Sequence, residues 1–128
     1  MSQENLKTIL VIEDDKDARD ILIKKLASEN FKVVQAKNGE EGLHQFDAEK
    51  PSLIVLDLYM PVMDGHVFLE KLRGHPQGAE TPVIVLSNWV THDFVINAFD
   101  KQLVDYLLKT DTALDVVVSK IKKTLGLI

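Results

Sequence analysis

Asp57 closes the apolar run Leu53-Ile54-Val55-Leu56, and Glu13-Asp14-Asp15 closes another, Ile9-Leu10-Val11-Ile12. Uninterrupted apolar runs of this length suit strands buried on both faces, so the carboxylates are expected where the strands leave a sheet. If the two strands are parallel neighbours, their acids meet in one crevice. Converging anions repel unless positive charge lies among them, and a divalent cation with oxygen ligands answers that need. Two further strand ends offer complementary groups: Ser87 after Val83-Ile84-Val85-Leu86, and Lys109 after Tyr106-Leu107-Leu108. The set suits phosphoryl transfer. A carboxylate such as Asp57 can attack phosphorus and form an acyl phosphate. Mg²⁺ held by Glu13, Asp14 and Asp57 would neutralise part of the charge on the transferred group, and the Lys109 ammonium another part. The Ser87 hydroxyl can donate a hydrogen bond to a phosphoryl oxygen.

The elements that must position these residues are legible in the hydrophobic pattern. Strands are predicted at about 8–12, 31–35, 53–56, 83–86 and 106–108. Ala18, Ile21, Leu22 and Leu26 mark the apolar stripe of a first helix; Leu114, Val117, Val118, Ile121 and Leu125 mark that of a last one. Shorter helices are expected around Gly42, Leu43 and Phe46, around Val67, Phe68, Leu69 and Leu72, and over 90–99. Asp15 or Asp17, Asn38, Asp64, Thr91 and Asp111 are the predicted caps. Alternating strands and helices, five of each, imply a doubly wound α/β fold with one parallel sheet and helices on both faces. In such folds ligands sit beyond the carboxyl ends of the strands, where Glu13, Asp14, Asp57, Ser87 and Lys109 fall.

Composition narrows the function classes. The chain has 128 residues, an ordinary length for one domain, and a formal net charge of −5. A nucleic-acid surface would need clustered cations; Lys120, Lys122 and Lys123 alternate with apolar positions and read as the wet face of a helix. There is no cysteine, hence no disulfide. No apolar stretch approaches a membrane span, and the N-terminus lacks signal-peptide character. A soluble, cytoplasmic, single-domain protein (1–128, core about 6–125) without an effector domain is expected, unless the chain is a piece of a larger regulator.

Taken singly, each residue has a plainer reading. Glu13-Asp14-Asp15 could be helix-capping acids, Asp57 a turn former, Ser87 structural and Lys109 solvated. Their joint occurrence at the strand ends favours chemistry. His44, His66, His75 and His92 show no metal-ligand spacing, and Phe31, Phe46, Phe68 and Phe99 are assigned to the core. Trp89, two positions after Ser87, would either shield the site or dock a partner, or else pack on the fourth helix.

The acidic pair Glu13-Asp14, the block from Asp57 through Met60-Pro61 to Met63-Asp64-Gly65, the Pro82–Ser87 stretch and Tyr106-Leu107-Leu108-Lys109 together resemble the receiver domain of two-component response regulators, of the chemotaxis-regulator type. The resemblance runs from Leu6 to about Leu125. It implies a flavodoxin-like fold in which Asp57 accepts phosphate from a sensor histidine kinase or a phosphotransfer protein. It further implies Mg²⁺ bound by Asp14, Asp57 and the backbone carbonyl of Tyr59, and by Glu13 through water. Ser87 and Tyr106 would then act as the switch, altering a protein-binding surface made by the fourth helix, fifth strand and fifth helix. No turnover of an external substrate is implied.

The sequence departs from that family in places. Thr110 stands where a proline usually follows the lysine, and the Lys109–Thr110 bond is expected to be trans, since cis before a non-proline costs about 3–4 kcal/mol. Asn88 replaces a small residue, Gln102 a glycine, and Tyr59 a smaller polar side chain. Tyr59 and Trp89 together would slow loss of the phosphoryl group by excluding water. The departures motivate the rival reading, a receiver-like binding module whose switch does not depend on phosphate. An aspartyl-phosphate phosphatase would want a carboxylate where Tyr59 stands, and a dinucleotide site would want glycines where Glu13-Asp14-Asp15 stands.

Overall fold

Strands that are apolar throughout must be covered on both faces, and the chain meets that demand with one sheet between two helical layers. The computed structural model describes residues 6–88, 104–109 and 112–128. Within them lie β1 (Thr8–Ile12), α1 (Lys16–Ser28), β2 (Lys32–Ala36), α2 (Gly39–Glu49), β3 (Leu53–Leu56), α3 (Gly65–Gly74), β4 (Val83–Ser87), β5 (Val104–Leu108) and α4 (Leu114–Thr124). All strand pairs are parallel, in the order β2-β1-β3-β4-β5. The predicted fold class is therefore the observed one. The predicted helix over 90–99, with its cap Thr91, lies outside the described residues, as do Trp89, Phe99, Gln102 and Thr110. The helix predicted as fifth is α4.

Side-chain alternation along the strands divides the core in two. Ile9, Val11, Leu53, Val55, Ile84 and Leu86 face one way and pack with Leu22 and Leu26 of α1 and Val117, Val118 and Ile121 of α4. Leu10, Ile12, Ile54, Leu56, Val83 and Val85 face the other way, with Phe46 of α2 and Phe68, Leu69 and Leu72 of α3. Phe31, Phe46 and Phe68 are buried, as expected. Strand boundaries differ from the predicted ones by one or two residues: β2 is shifted one residue on, and β5 begins at Val104 because it continues the register of Val83.

Capping follows side-chain chemistry at two helices. Asn38 accepts from the Glu41 N–H at 2.8 Å and Asp64 from the Val67 N–H at 3.0 Å. Asp15 occupies the N-cap of α1 without a side-chain cap bond. The last helix corrects the prediction. Its cap is Ala113, not Asp111, because the apolar stripe begins directly at Leu114, and the Ala113 carbonyl accepts from the N–H groups of Val116 and Val117.

Candidate functional site

The strand order reverses direction between β1 and β3, and there the crevice opens. Parallel hydrogen bonding continues one step past the strand ends. The Asp57 N–H donates to the Ile12 carbonyl and the Glu13 N–H to the Ala36 carbonyl, both at 3.0 Å; the Lys109 N–H donates to the Ser87 carbonyl at 2.8 Å. Register thus brings residues far apart in sequence to one rim.

Glu13, Asp14, Asp57, Ser87 and Lys109 line a single open cleft of about 570 Å³, together with Tyr59 and Asn88. Glu13, Asp57 and Ser87 are buried, whereas Asp14 is exposed. The Ser87 hydroxyl donates to Asp57 Oδ1 at 3.1 Å, and the Tyr59 N–H reaches the same oxygen at 3.5 Å. Lys109 Nζ forms an ion pair with Glu13 Oε1 and lies 3.6 Å from Asp57 Oδ2. The second Glu13 oxygen accepts from the Asp15 N–H at 3.1 Å.

Burial pushes the Glu13 carboxyl up to about 7, and Asp57 adds to the rise, against the lowering effect of Lys109 and of the Asp15 N–H. Burial acts to depress the Lys109 ammonium as well. The hydrogen bond to Glu13 and the charges of Glu13, Asp57 and Asp14 outweigh it, and its pKa lies above the usual value.

One oxygen from each of Glu13, Asp14 and Asp57 lies within 4.8 Å of the others, the only such acidic group among the described residues. An all-oxygen donor set with two buried carboxylates fits a hard divalent cation and suits neither zinc nor copper. Tyr59 lines the same cleft. Tyr106 is half-buried, packs against the core face of α2 and α3, and pairs in register with Val85.

The loop after Asp57 is tightly constrained. Its Gly65 N–H donates to the Leu58 carbonyl at 2.8 Å, and a Cβ at Gly65 would come within 2.5 Å of the Asp57 carbonyl oxygen. Only glycine lets α3 start so close to the strand end. Val62 has φ 70°, with the Met63 N–H donating to the Pro61 carbonyl at 2.9 Å, a three-residue turn that is strained for a β-branched residue.

Arg19 was not singled out from the sequence. Its Nη1 donates to the Glu13 carbonyl at 2.8 Å and its Nε to Gln35 Oε1 at 2.9 Å, bracing the acidic turn from α1. The signal available was a cation one helical turn beyond Asp15. His44, His66 and His75 form no metal cluster, and His92 is outside the described residues.

The family model for the response regulator receiver domain matches residues 9–121. The chain belongs to the response regulator receiver family. A 14.6 kDa uncharacterized protein of Leptolyngbya boryana is 35% identical over 109 residues, covering 85% of this chain and 83% of that protein. The probable transcriptional regulator ycf27 of Cyanophora paradoxa is 40% identical over 83 residues, which span 65% of this chain but 34% of the regulator. The N-terminal domain of a response regulator receiver protein from Methanoculleus marisnigri superposes with a TM-score of 0.75 at 30% identity, covering 95% of this chain and 98% of that one. Receiver domains take phosphoryl groups from histidine kinases in two-component signalling. No helix among the described residues is long and apolar enough to cross a membrane.

Proposed function

We propose that this receiver accepts a phosphoryl group on Asp57 from a histidine kinase or a histidine phosphotransfer protein, in a Mg²⁺-dependent reaction. The observation that carries the proposal is the convergence of Glu13, Asp14, Asp57, Ser87 and Lys109 in one cleft. A carboxylate oxygen of Asp57 attacks phosphorus, the bond from phosphorus to the donor imidazole nitrogen breaks, and the electron pair leaves with the imidazole. Glu13, Asp14, Asp57 and the Tyr59 carbonyl would hold Mg²⁺, which supplies positive charge for the phosphoryl oxygens. Lys109 contributes a second positive charge from the end of β5, and Ser87 turns its hydroxyl from Asp57 to a phosphoryl oxygen.

Signalling is then a population shift. Contacts from Ser87 and Lys109 to the phosphoryl group exist in the active arrangement only, and they bias Tyr106 and the surface of β5 and α4 accordingly. Driving a mostly inactive domain to a mostly active one takes roughly 5 kcal/mol of differential contact. Several charge-assisted hydrogen bonds of about 1.5–3 kcal/mol each reach that figure. The protein partner on this face receives the output, in the cytoplasm.

The test is intact-mass measurement after incubation with Mg²⁺ and a small phosphodonor. One phosphoryl adduct on the wild-type protein, lost with chelator and absent in Asp57→Asn, is the expected result. No adduct on the wild-type protein would favour the phosphate-independent binding module instead.

A further inference from the structure

The loop that follows Asp57 is held at its far end by an element outside the site. Gly39, the first residue of α2, is buried, and its N–H donates to the Met63 carbonyl at 2.9 Å. A Cβ on Gly39 would stand 2.7 Å from that carbonyl oxygen and 2.8 Å from Met63 Cγ. The first is a backbone atom and cannot rotate away. The approach therefore requires a residue without a side chain, although a helix interior as such favours alanine over glycine.

Met63 is the residue after strained Val62, and its side chain packs on the core face that α2 and α3 cover. Between this anchor and Asp57 run the residues from Leu58 to Val62, including Tyr59. Their second tie is the Gly65 N–H to the Leu58 carbonyl. Shifting Met63 moves the lever on which the strained turn rests. Relaxation of Val62 toward ordinary backbone angles would carry the segment behind Asp57 with it.

We propose that Gly39 is a positioning residue for phosphoryl transfer: by admitting the Met63 backbone against the start of α2, it fixes the loop whose Tyr59 N–H reaches Asp57 Oδ1. The proposal rests on the phosphoacceptor reading above for its consequence in chemistry, though its structural part is testable without it. Gly42, one turn on, is the matched control. A Cβ there would meet side chains first, Ile12 Cδ1 at 2.5 Å and Phe68 Cε1 at 3.1 Å, with no backbone atom of the loop among its nearest neighbours.

Three readouts compare Gly39→Ala with Gly42→Ala: Mg²⁺ affinity by calorimetry, the rate of phosphorylation by a small phosphodonor at saturating Mg²⁺, and hydrogen exchange of the Gly65 amide. Gly39→Ala should weaken Mg²⁺ binding and slow phosphorylation, each by roughly tenfold, since small misplacements near a reacting group are costly. It should also speed Gly65 exchange by about tenfold relative to global unfolding. Gly42→Ala should lower thermal stability while leaving all three readouts near wild type. Should Gly39→Ala fold poorly, it is measured in a Val62→Gly background, where glycine accepts φ 70° without strain. Unchanged Gly65 exchange in Gly39→Ala, or equal effects in both alanine variants, overturns the proposal. If the wild-type protein takes no phosphoryl group, the phosphoacceptor reading falls, and the exchange comparison alone decides the role of Gly39.

Discussion

Two clusters of lysines and acids lie at opposite ends of α1, and they behave differently. In the cleft, Glu13 is 5% exposed and its carboxyl is pushed up to about 7 by burial. Along the seam of α1 and α4, Lys25 pairs with Asp115 and Lys122 with Glu29, each at 2.7 Å, and Lys25 also reaches Glu29 at 3.8 Å. There the pKa of Glu29 is lowered by its hydrogen bond to Lys122, and that of Asp115 by its bond to Lys25. Residue types are the same in both places; access to water is not. The seam satisfies each charge where it stands. The cleft concentrates negative charge that one lysine only partly offsets, which is a site prepared for a further cation.

The largest test of this contrast is Asp57→Asn, which should abolish phosphoryl incorporation while leaving the fold intact. Next comes Lys109→Met. It removes the ammonium that faces Glu13 and Asp57, so phosphorylation should slow by roughly a hundredfold, whereas Mg²⁺ should bind at least as tightly, because a competing cation is gone. Weaker Mg²⁺ binding in that variant, measured by calorimetry, would contradict the picture of Lys109 as a partial counter-ion.

Glu13 gives a smaller effect, with a definite sign. Its folded pKa of about 7 lies above the ordinary 4.5 of a glutamate, so the folded protein binds more protons than the unfolded chain between those values. Stability of the chelator-treated protein should therefore fall as pH rises from about 4.5 to 7 and level off above. After allowance for solvent screening the loss is about 1–2 kcal/mol. Urea titrations across this range should show the slope in the wild-type protein and a reduced one in Glu13→Gln; equal slopes would assign it to other groups.

Much of this was legible in the amino-acid sequence because strand ends do the positioning. Apolar runs locate β1, β3 and β4, and the acids and serine that close them must fall at one edge once the sheet is parallel. Asn38 and Asp64 could be read as caps because their side chains carry the acceptor the helix start requires. What could not be read depends on contacts across the chain. Nothing local marks Arg19 as a brace for the Glu13 carbonyl. The need for a bare Cα at Gly39 is set by Met63, which the sequence places far away. The start of α4 at Ala113 was missed because an aspartate two residues earlier looked the better cap; the apolar stripe, not the side-chain acceptor, fixes that end.

The seam provides the smallest effect, and its smallness is the point. Glu29 and Asp115 have depressed pKa values, so their contribution is present above the unfolded carboxylate pKa and disappears as pH falls through the folded one. Lys122→Ala removes the closest partner of Glu29 but leaves Lys25 nearby. Half-exposed pairs such as this one gain little, because water still reaches both charges and holding long side chains costs entropy. The melting temperature of Lys122→Ala at neutral pH should accordingly drop by no more than roughly 2 °C. The difference should fade as pH falls below the unfolded carboxylate range and shrink in high salt, where the Debye length is about 3 Å at 1 M. Mg²⁺ affinity should not change at all. A large loss of stability, or any loss of Mg²⁺ binding, would mean that the seam and the cleft are coupled through α1 and that burial alone does not separate them.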